Sequence, residues 1–414
     1  MILSDIAKVL YAPRKAFKQI VENPKYLGVV LILLLFLAVQ VAFEYAQFSK
    51  VNFEDTSPSA GELNGWTVNS TRWTTSSVMS NSTDFTNQTI YATGIGFVSL
   101  GNSSLQFYAS NSTNMSATLS NINIDCGPEG FQNLSLRMKL VEPQSEPQQV
   151  TLTLYSKVDA DYFTRDLTPN FMGASLTVWN NLTIPVGVNA PLWTSHGGAS
   201  WSNITALKLD VAFPASSNIT IRVDNLFFRG LYTNPVESAG ANIAFNLLYT
   251  FFMQFVFEWL ILTAIIYIVI RALKGKATWK PLFVAVGFAM FLLVFRGLIG
   301  LAATLALPPA YYPFELAFGV SISPFGVVNY PSLAVPVLSP DAQLAYHSVD
   351  SLTSVFQSIT SFVSIAIYVW LGVLCTIAVG MLVPEFSTAK RAIASVVGLV
   401  VTIVLLLFFL VGII

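Results

Sequence analysis

Charged residues are scarce in this chain of 414 residues: only 10% are Asp, Glu, Lys or Arg, whereas 54% are hydrophobic. Soluble domains carry about 25% charged residues. The mean hydropathy of +0.62 agrees, so the composition predicts an integral membrane protein. The formal net charge of −1 argues against nucleic acid as a partner, because phosphates require a basic surface.

Cysteine and histidine are also scarce. The two cysteines, Cys126 and Cys375, fall in a polar and an apolar stretch, which excludes a disulfide framework. The two histidines, His196 and His347, leave little material for a zinc, haem or di-iron site. The sequence contains no G-x-S-x-G, H-E-x-x-H, Walker or dinucleotide-binding glycine motif. We therefore expect a protein that is not an enzyme and has no catalytic residues.

Long apolar runs are what the chain has in quantity. Five of them are long enough to cross roughly 30 Å of hydrocarbon. The first lies within residues 26–48, and the others lie at about 243–270, 281–306, 354–383 and 393–414. A cleaved signal peptide would need a shorter apolar run and small residues at the cut, which residues 43–49 do not supply. The first run is therefore predicted to be a retained anchor.

The connections between the spans predict their orientation. Residues 307–352 contain no Lys or Arg, whereas two other connections are basic through Arg271, Lys274, Lys276, Lys280, Lys390 and Arg391. Basic connections favour the cytoplasmic side. Five spans then place the N-terminus inside, and they place residues 49–240, residues 307–352 and the C-terminus outside. The corresponding blocks are 1–25, 26–48, 49–240, 241–306, 307–352 and 353–414.

Residues 1–25 form a basic leader. Apolar Ala16, Phe17, Ile20 and Val21 follow Pro13 at helical spacing, between several lysines and Arg14. This pattern predicts an amphipathic helix on the inner leaflet, where each base facing anionic headgroups is worth about 1 kcal/mol. The alternative is a solvated basic segment.

The polar block between the first two spans is rich in glycosylation sequons. Chance would give about four or five N-x-[ST] matches at this composition. Ten are present, at Asn69, Asn81, Asn87, Asn102, Asn111, Asn114, Asn133, Asn181, Asn203 and Asn218. The excess predicts N-glycosylation and, independently of the basic connections, an outer location.

The same block alternates with a period of two. Leu134, Leu136, Met138 and Leu140 interleave with polar residues, and the pattern recurs at 150–154, 207–213 and 219–223. Short alternating segments separated by turn residues predict an all-β antiparallel sandwich.

Six segments of this block resemble galactose-binding-like jelly rolls of carbohydrate-binding modules. They are GNSSLQFYAS (101–110), SLRMKLV (135–141), QQVTLTLYS (148–156), VWNNLTIPV (178–186), WSNITALKLDVAF (201–213) and NITIRVDNLFF (218–228). The resemblance implies a jelly roll over roughly residues 62–230. It also implies sugar stacking on exposed aromatics, for which loop-like Trp193 and Trp201 are the candidates. Asp224 matches the acidic position that often holds a structural calcium in such modules.

Residues 4–35, SDIAKVLYAPRKAFKQIVENPKYLGVVLILLL, resemble the opening of the Yip (Rab/Ypt-interacting) membrane protein family in its archaeal and bacterial branch. The resemblance implies a five-span helical bundle. The chain departs from that family because the polar block is inserted between spans one and two, so the trafficking role of eukaryotic members is not carried over.

Glu258 and Arg296 are full charges inside spans two and three. Glu258 lies 13 residues before Arg271, and Arg296 lies 16 residues after Lys280. At 1.5 Å per residue both sit at similar depth, about 20 and 24 Å from the basic boundary. A charge in a span costs about 2.5–3.5 kcal/mol, so a mutual ion pair is predicted. It serves either to fix helix packing or as a proton or ion relay or subunit contact.

The connection 308–352 is too apolar to extend into water. It either packs under the β domain as a collar, which we favour, or re-enters the membrane surface, or gates a substrate.

Together these features predict a glycosylated, multi-pass plasma-membrane surface protein. Its β domain would bind a glycan, a surface-layer protein or another membrane subunit, as a scaffold or accessory subunit. Two alternatives stay open: transport of a small solute or protons through Glu258 and Arg296, or a membrane-shaping or trafficking scaffold of Yip type. The Asn/Ser/Thr-rich exterior resembles archaeal surface proteins.

Overall fold

The computed structural model describes residues 2–59, 62–85, 103–173, 176–314 and 340–411. The helices in these ranges are α1 (Ile2–Tyr11), α2 (Pro13–Glu22), α3 (Tyr26–Phe48), α4 (Gly65–Val68), α5 (Pro235–Ala272), α6 (Trp279–Ala289), α7 (Leu292–Ala306), α8 (Pro340–Leu382) and α9 (Thr388–Val411). The strands are β1 (Val51–Ser57), β2 (Trp73–Thr75), β3 (Val78–Ser82), β4 (Ser104–Ile124), β5 (Asn133–Glu142), β6 (Gln149–Ser156), β7 (Val158–Asp166), β8 (Asn180–Pro185), β9 (Thr194–His196), β10 (Ile204–Thr233) and β11 (Ala310–Tyr312).

Five helical segments are long and apolar enough to cross a membrane, which confirms the prediction of a multi-pass membrane protein. They are Tyr26–Phe48, Pro235–Ala272, Trp279–Ala306, His347–Leu382 and Thr388–Leu407. The strands β1 to β10 follow the first of these segments in the chain and precede the second.

The third span contains a tight turn at Met290 and Phe291, which the apolar residues around it did not reveal. Helix α6 ends at Ala289 and α7 begins at Leu292. Between them, the amides of Leu293 and Val294 bond three residues back, to Met290 and Phe291. The side chain of Gln40 in α3 donates to the carbonyl of Leu293 at 3.4 Å. Both linking residues keep helical backbone angles, so the span continues through this tighter turn as one helix of 28 residues.

Helix α3 packs closely on α7 because α7 presents glycines. A Cβ added to Gly300 would lie 2.7 Å from the ring of Phe43, and one added to Gly297 would lie 2.7 Å from Val39. Small residues at such an interface let two helix backbones approach, which is the usual means of packing in membranes.

The basic leader folds as two helices against the bundle. In α2, Ala16, Phe17 and Ile20 are buried in the same hydrophobic cluster as residues of the spans. Arg14, Lys15 and Lys18 are exposed on the other side. The prediction of an amphipathic segment is correct in periodicity, but the apolar face is covered by protein rather than by the inner leaflet.

The β domain consists of two layers that share β4 and β10. One layer has the order β3, β4, β10, β5, β8, and it uses residues 105–109 of β4 with 219–223 of β10. The second has the order β2, β4, β10, β6, β7, β9, and it uses residues 115–124 with 204–212. All these pairings are antiparallel, and register shifts mark where both strands change layer. The predicted segments at 207–213 and 219–223 are thus parts of one strand.

A single hydrophobic core lies between the two layers. Leu105, Phe107 and Met138 from the first layer join Leu152 and Leu209 from the second. The alternation in the sequence predicted that these side chains point inward. The prediction of an antiparallel β domain is therefore confirmed.

Three spans continue directly into three strands that pair with one another. Helix α3 leads into β1, β10 leads into α5, and α7 leads into β11. Strand β1 pairs with the end of β10 in an antiparallel sense and with β11 in a parallel sense. We call β11, β1 and residues 228–233 of β10 the base sheet. The first and third spans, α3 and α6–α7, both end at this sheet. Successive spans alternate in direction, so the fifth span, α9, also ends on the side of the β domain.

Glu54 anchors the base sheet. It is 5% exposed, and it accepts hydrogen bonds from Arg229 Nε at 3.0 Å and Nη2 at 3.3 Å. The amide of Phe314 donates to the same carboxylate at 3.0 Å, and the Arg229 guanidinium lies 4.9 Å from the Phe314 ring. Burial raises the pKa of the neighbouring Tyr312 phenol to about 12. Residues 310–314 therefore pack under the β domain, as the collar interpretation expects; residues 315–339 lie outside the described ranges.

Candidate functional site

The solvent face of the second layer is polar across five neighbouring strands. In β6, Val150, Leu152 and Leu154 point into the core, so Thr151, Thr153 and Tyr155 point outward. Strand register aligns the outward residues in three rows. The rows are Ser120, Ala206, Tyr155, Tyr162, His196; then Thr118, Lys208, Thr153, Thr164, Thr194; then Ser116, Asp210, Thr151, Asp166.

Three ring side chains stand side by side in the first row. The rings of Tyr155 and Tyr162 are 5.8 Å apart, and those of Tyr162 and His196 stack at 4.5 Å with an interplanar angle of 22°. His196 Nε2 is 3.1 Å from the Thr164 hydroxyl. We call these three residues the Tyr/His row. All three are partly exposed, and β9 ends the strand order, so the second ring face of His196 lies toward the sheet edge.

A positively and a negatively charged side chain flank this row. Lys208 Nζ lies 2.9 Å from the Asp210 carboxylate on the same strand. Farther along the face, a shallow cavity of about 280 Å³ is lined by Asn114, Gln149, Thr151, Asp210 and their neighbours. The face thus offers amide, hydroxyl, ammonium and carboxylate groups beside aromatic rings.

The solvent face of the first layer carries a larger charge network, in which one carboxylate has three partners. Asp84 accepts from Lys139 at 2.8 Å and from Trp179 Nε1 at 3.2 Å, and it also forms an ion pair with Arg222. Burial alone would raise the pKa of Asp84, but the hydrogen bonds from Lys139 and Trp179 and the two cations lower it below its ordinary value. We interpret this network as structural.

Trp193 and Trp201, the predicted sugar-stacking residues, are used in packing. Trp201 is 9% exposed and stacks on Phe163 with ring centroids 3.9 Å apart. Trp193 meets Trp201 edge to face at 5.4 Å, and its indole N–H donates to the Pro185 carbonyl at 2.8 Å. Arg165 lies over the outer side of Trp193, at 5.9 Å. Both residues lie in loops, as predicted, but the Trp201 ring is buried and the Trp193 ring is half-buried against the core; sugar stacking stays a prediction.

Asp224, the predicted calcium position, is fully buried and accepts a hydrogen bond from the Asn225 amide. Its cross-strand neighbour is Arg137, which is also buried. The neighbouring strand thus carries a cationic residue opposite Asp224. Among the described residues no group of three or more His, Cys, Asp or Glu side chains could hold a metal ion. Calcium stays an untested prediction.

The described sequon asparagines are accessible. Asn69, Asn81, Asn111, Asn114, Asn181 and Asn218 are exposed, and Asn133 and Asn203 are partly exposed. Asn87 and Asn102 lie outside the described residues. Accessibility is what glycosylation requires, and occupancy stays a prediction.

In the membrane part, Glu258 and Arg296 belong to one cluster. Glu258 is 1% exposed, and its Oε2 has no hydrogen-bond partner among the described residues. Arg296 interacts electrostatically with both Glu258 and Glu44, and the Tyr368 hydroxyl interacts with both Glu258 and Arg296. No direct ion pair within 4.0 Å joins Arg296 to either carboxylate in the described part of the chain. Glu258 and Arg296 therefore interact without a direct salt bridge in this part of the chain, and Tyr368 interacts with both.

A polar cavity of about 470 Å³ adjoins this cluster, between α3, α7 and α8. Glu44, Gln47, Arg296, Gln357 and Ser361 contribute its polar lining. The sequence did not indicate Glu44 as part of the site. Glu44 directly follows the apolar run of the first span, and a charge at that place is normally interpreted as the boundary of the span.

No family model and no curated protein matches this chain. Solved structures match the β part. One is a family 11 carbohydrate-binding module from Clostridium thermocellum in complex with a β-1,3-1,4-mixed-linked tetrasaccharide, at 13% identity and a TM-score of 0.26, covering 43% of this chain and 95% of that chain. Another is an exo-β-agarase at 14% identity and a TM-score of 0.26, covering 38% of this chain and 22% of that chain. At these scores we draw no function from the matches, and the Yip resemblance stays a prediction.

Proposed function

We propose that this chain is a membrane-anchored surface protein whose β domain binds a glycan on the solvent face of the second layer. The observation that carries the proposal is the Tyr/His row, which strand register places beside two rows of hydroxyl and charged side chains. Glycosylation of the surrounding surface and an outer location for the β domain belong to the same proposal.

The chemistry of the face suits a sugar ring. A sugar presents hydroxyl groups at its edge, which hydroxyl, amide, carboxylate and ammonium groups bind in pairs as donor and acceptor. It also presents an apolar C–H face, which binds an aromatic ring. The open ring face of His196 and the Tyr hydroxyls supply both kinds of contact, while Lys208 and Asp210 bind hydroxyls next to them.

The anchor suits a module that works at a fixed distance from the membrane. The base sheet joins the β domain to three spans through hydrogen-bonded strands rather than through a flexible linker. Glu54 adds an ion pair and a backbone hydrogen bond at the same place. A rigidly mounted binding face is what a scaffold or accessory subunit of the cell envelope needs.

The test uses the full chain in lipid nanodiscs on a glycan array, followed by calorimetric titration of the best ligand. We expect Tyr162→Ala to weaken binding about tenfold or more, the effect of one lost hydrogen bond and ring contact. Tyr108→Ala is the matched control, because Tyr108 is a partly exposed tyrosine on the solvent face of the other layer. Equal losses in both variants, or an array without any bound glycan, would overturn the proposal.

A further inference from the structure

Beyond the proposed glycan-binding face, we propose that the polar cavity between α3, α7 and α8 holds the headgroup of a zwitterionic membrane lipid. The chains of this lipid would lie in an apolar groove between α8 and α9. That groove has a volume of about 780 Å³ and is lined by residues such as Val373, Val396 and Val400.

The cavity and the groove are parts of one path. Ser364 and Ile365 line both. On α8, Gln357, Ser361, Ser364, Tyr368, Gly372 and Thr376 recur at helical spacing, and each of them lines the cavity or the groove. One face of α8 therefore lines first the polar cavity and then the apolar groove. Such a path fits an amphiphilic ligand, which has a polar head and an apolar chain.

The depth of each part matches a lipid in one leaflet. Glu44 lies four residues before the end of α3 at Phe48, about 6 Å below it at 1.5 Å per residue. Phe43 contacts Phe356 at 6.3 Å, and both join a hydrophobic cluster with Val51 and Tyr312 of the base sheet. The cavity thus sits at the end of the bundle nearest the β domain, at headgroup level.

From Ser364 to Ile377 the groove follows α8 for thirteen residues. This corresponds to about 20 Å at 1.5 Å per residue, whereas half of a bilayer's hydrocarbon core is about 15 Å. A groove of this length accommodates a chain of one leaflet. Its hydroxyls are bonded to the helix itself, since Thr376 donates to the Gly372 carbonyl at 2.8 Å and Ser364 donates to the Thr360 carbonyl at 2.7 Å.

The charges select the headgroup. Arg296 faces the cavity and suits a phosphate. Glu44 faces the same cavity, and Glu258 adds a second, buried carboxylate beside Arg296. A guanidinium and a carboxylate that face the same cavity suit a headgroup that carries an ammonium as well as a phosphate. Gln47 and Gln357 can bind its remaining oxygens.

The experiment uses the full chain in mild detergent with phosphatidylethanolamine, phosphatidylglycerol and water-soluble glycerophosphoethanolamine as probes. Lipid retention is measured by native mass spectrometry. We expect about one phosphatidylethanolamine per protein, and an at least tenfold loss in Ser364→Trp, whose indole would fill the junction of cavity and groove. Ser358→Trp is the matched control, because Ser358 is an exposed serine on the same helix that lines neither part.

Glu44→Gln provides a second test of the lipid site that does not depend on filling the cavity. It should reduce the preference for phosphatidylethanolamine over phosphatidylglycerol about tenfold, as expected for a lost contact to a charged group. Equal retention in Ser364→Trp and Ser358→Trp would overturn the lipid site. Binding of glycerophosphoethanolamine as tight as that of the lipid would show a solute site instead, and a preference for phosphatidylglycerol would refute the headgroup assignment.

Discussion

Removal of the Glu54 carboxylate should loosen the β domain from the bundle. Glu54→Ala removes the acceptor of two hydrogen bonds that Arg229 donates and of one that the buried Phe314 amide donates. Breaking a buried ion pair by deleting one partner costs about 3–5 kcal/mol, part of which is the unpaired charge left behind. The Arg229 side chain is 14% exposed, so the lower end, about 3 kcal/mol, is expected.

For a domain of this size, 1 kcal/mol shifts the melting temperature by about 2–4 °C, so a fall of about 6–12 °C is predicted. The assay is thermal unfolding of the full chain in nanodiscs, combined with amide hydrogen exchange at residues 310–314. Asp55→Ala is the matched control, because the adjacent Asp55 accepts only an exposed hydrogen bond from Thr233 at 2.8 Å. That variant should stay within about 0.5 kcal/mol of the wild type. The same melting temperature and the same exchange for both variants would refute the role given to the base sheet.

Three further predictions concern packing and pH. Gly300→Leu should destabilise the bundle by about 1–3 kcal/mol because the leucine side chain would clash with the Phe43 ring. Thermal melting in nanodiscs measures this effect, and an unchanged melting temperature would show that α3 and α7 are not tightly packed. Trp201→Ala should lower the free energy of unfolding, measured with denaturant, by about 3–5 kcal/mol because the stack on Phe163 is lost. A small decrease in this free energy together with weaker glycan binding would show instead that Trp201 contacts the glycan. The folded-state pKa of Asp84 is lowered, so its stabilisation is present above the ordinary value of 3.8 and is lost as pH falls through the folded pKa. Asp84→Asn should therefore be less stable than the wild type at neutral pH and should converge with it in acid; a constant difference down to low pH would contradict this.

The sequence predicted the elements whose signal is local. Apolar length alone locates five spans, and the alternation of Leu134, Leu136, Met138 and Leu140 correctly places a strand with its core face.

Features that depend on pairing between distant strands were not predictable. Tyr155, Tyr162 and His196 become one row only through the registers of β6, β7 and β9. Conversely, Trp193 and Trp201 lie in a Gly-rich segment that reads as a loop, and only tertiary packing shows that both rings close the core.

The membrane part shows the same limit. The tight turn between α6 and α7 lies among apolar residues, where hydropathy carries no signal for it. Glu44 directly follows the apolar run that ends at Phe43, where charge normally marks the boundary of a span, whereas helix α3 continues past it to Phe48. A charge near the end of a span can therefore face a cavity within the bundle.

The most direct test of the account is to locate the bound glycan on the β domain. Amide hydrogen exchange of the full chain, with and without the best glycan from the array, reports which strands become protected. The account predicts protection at residues 151–155, 162–164 and 206–210, around the Tyr/His row. Protection confined to β3, β5 and β8 in the other layer, or to the loop around Trp193, would contradict it.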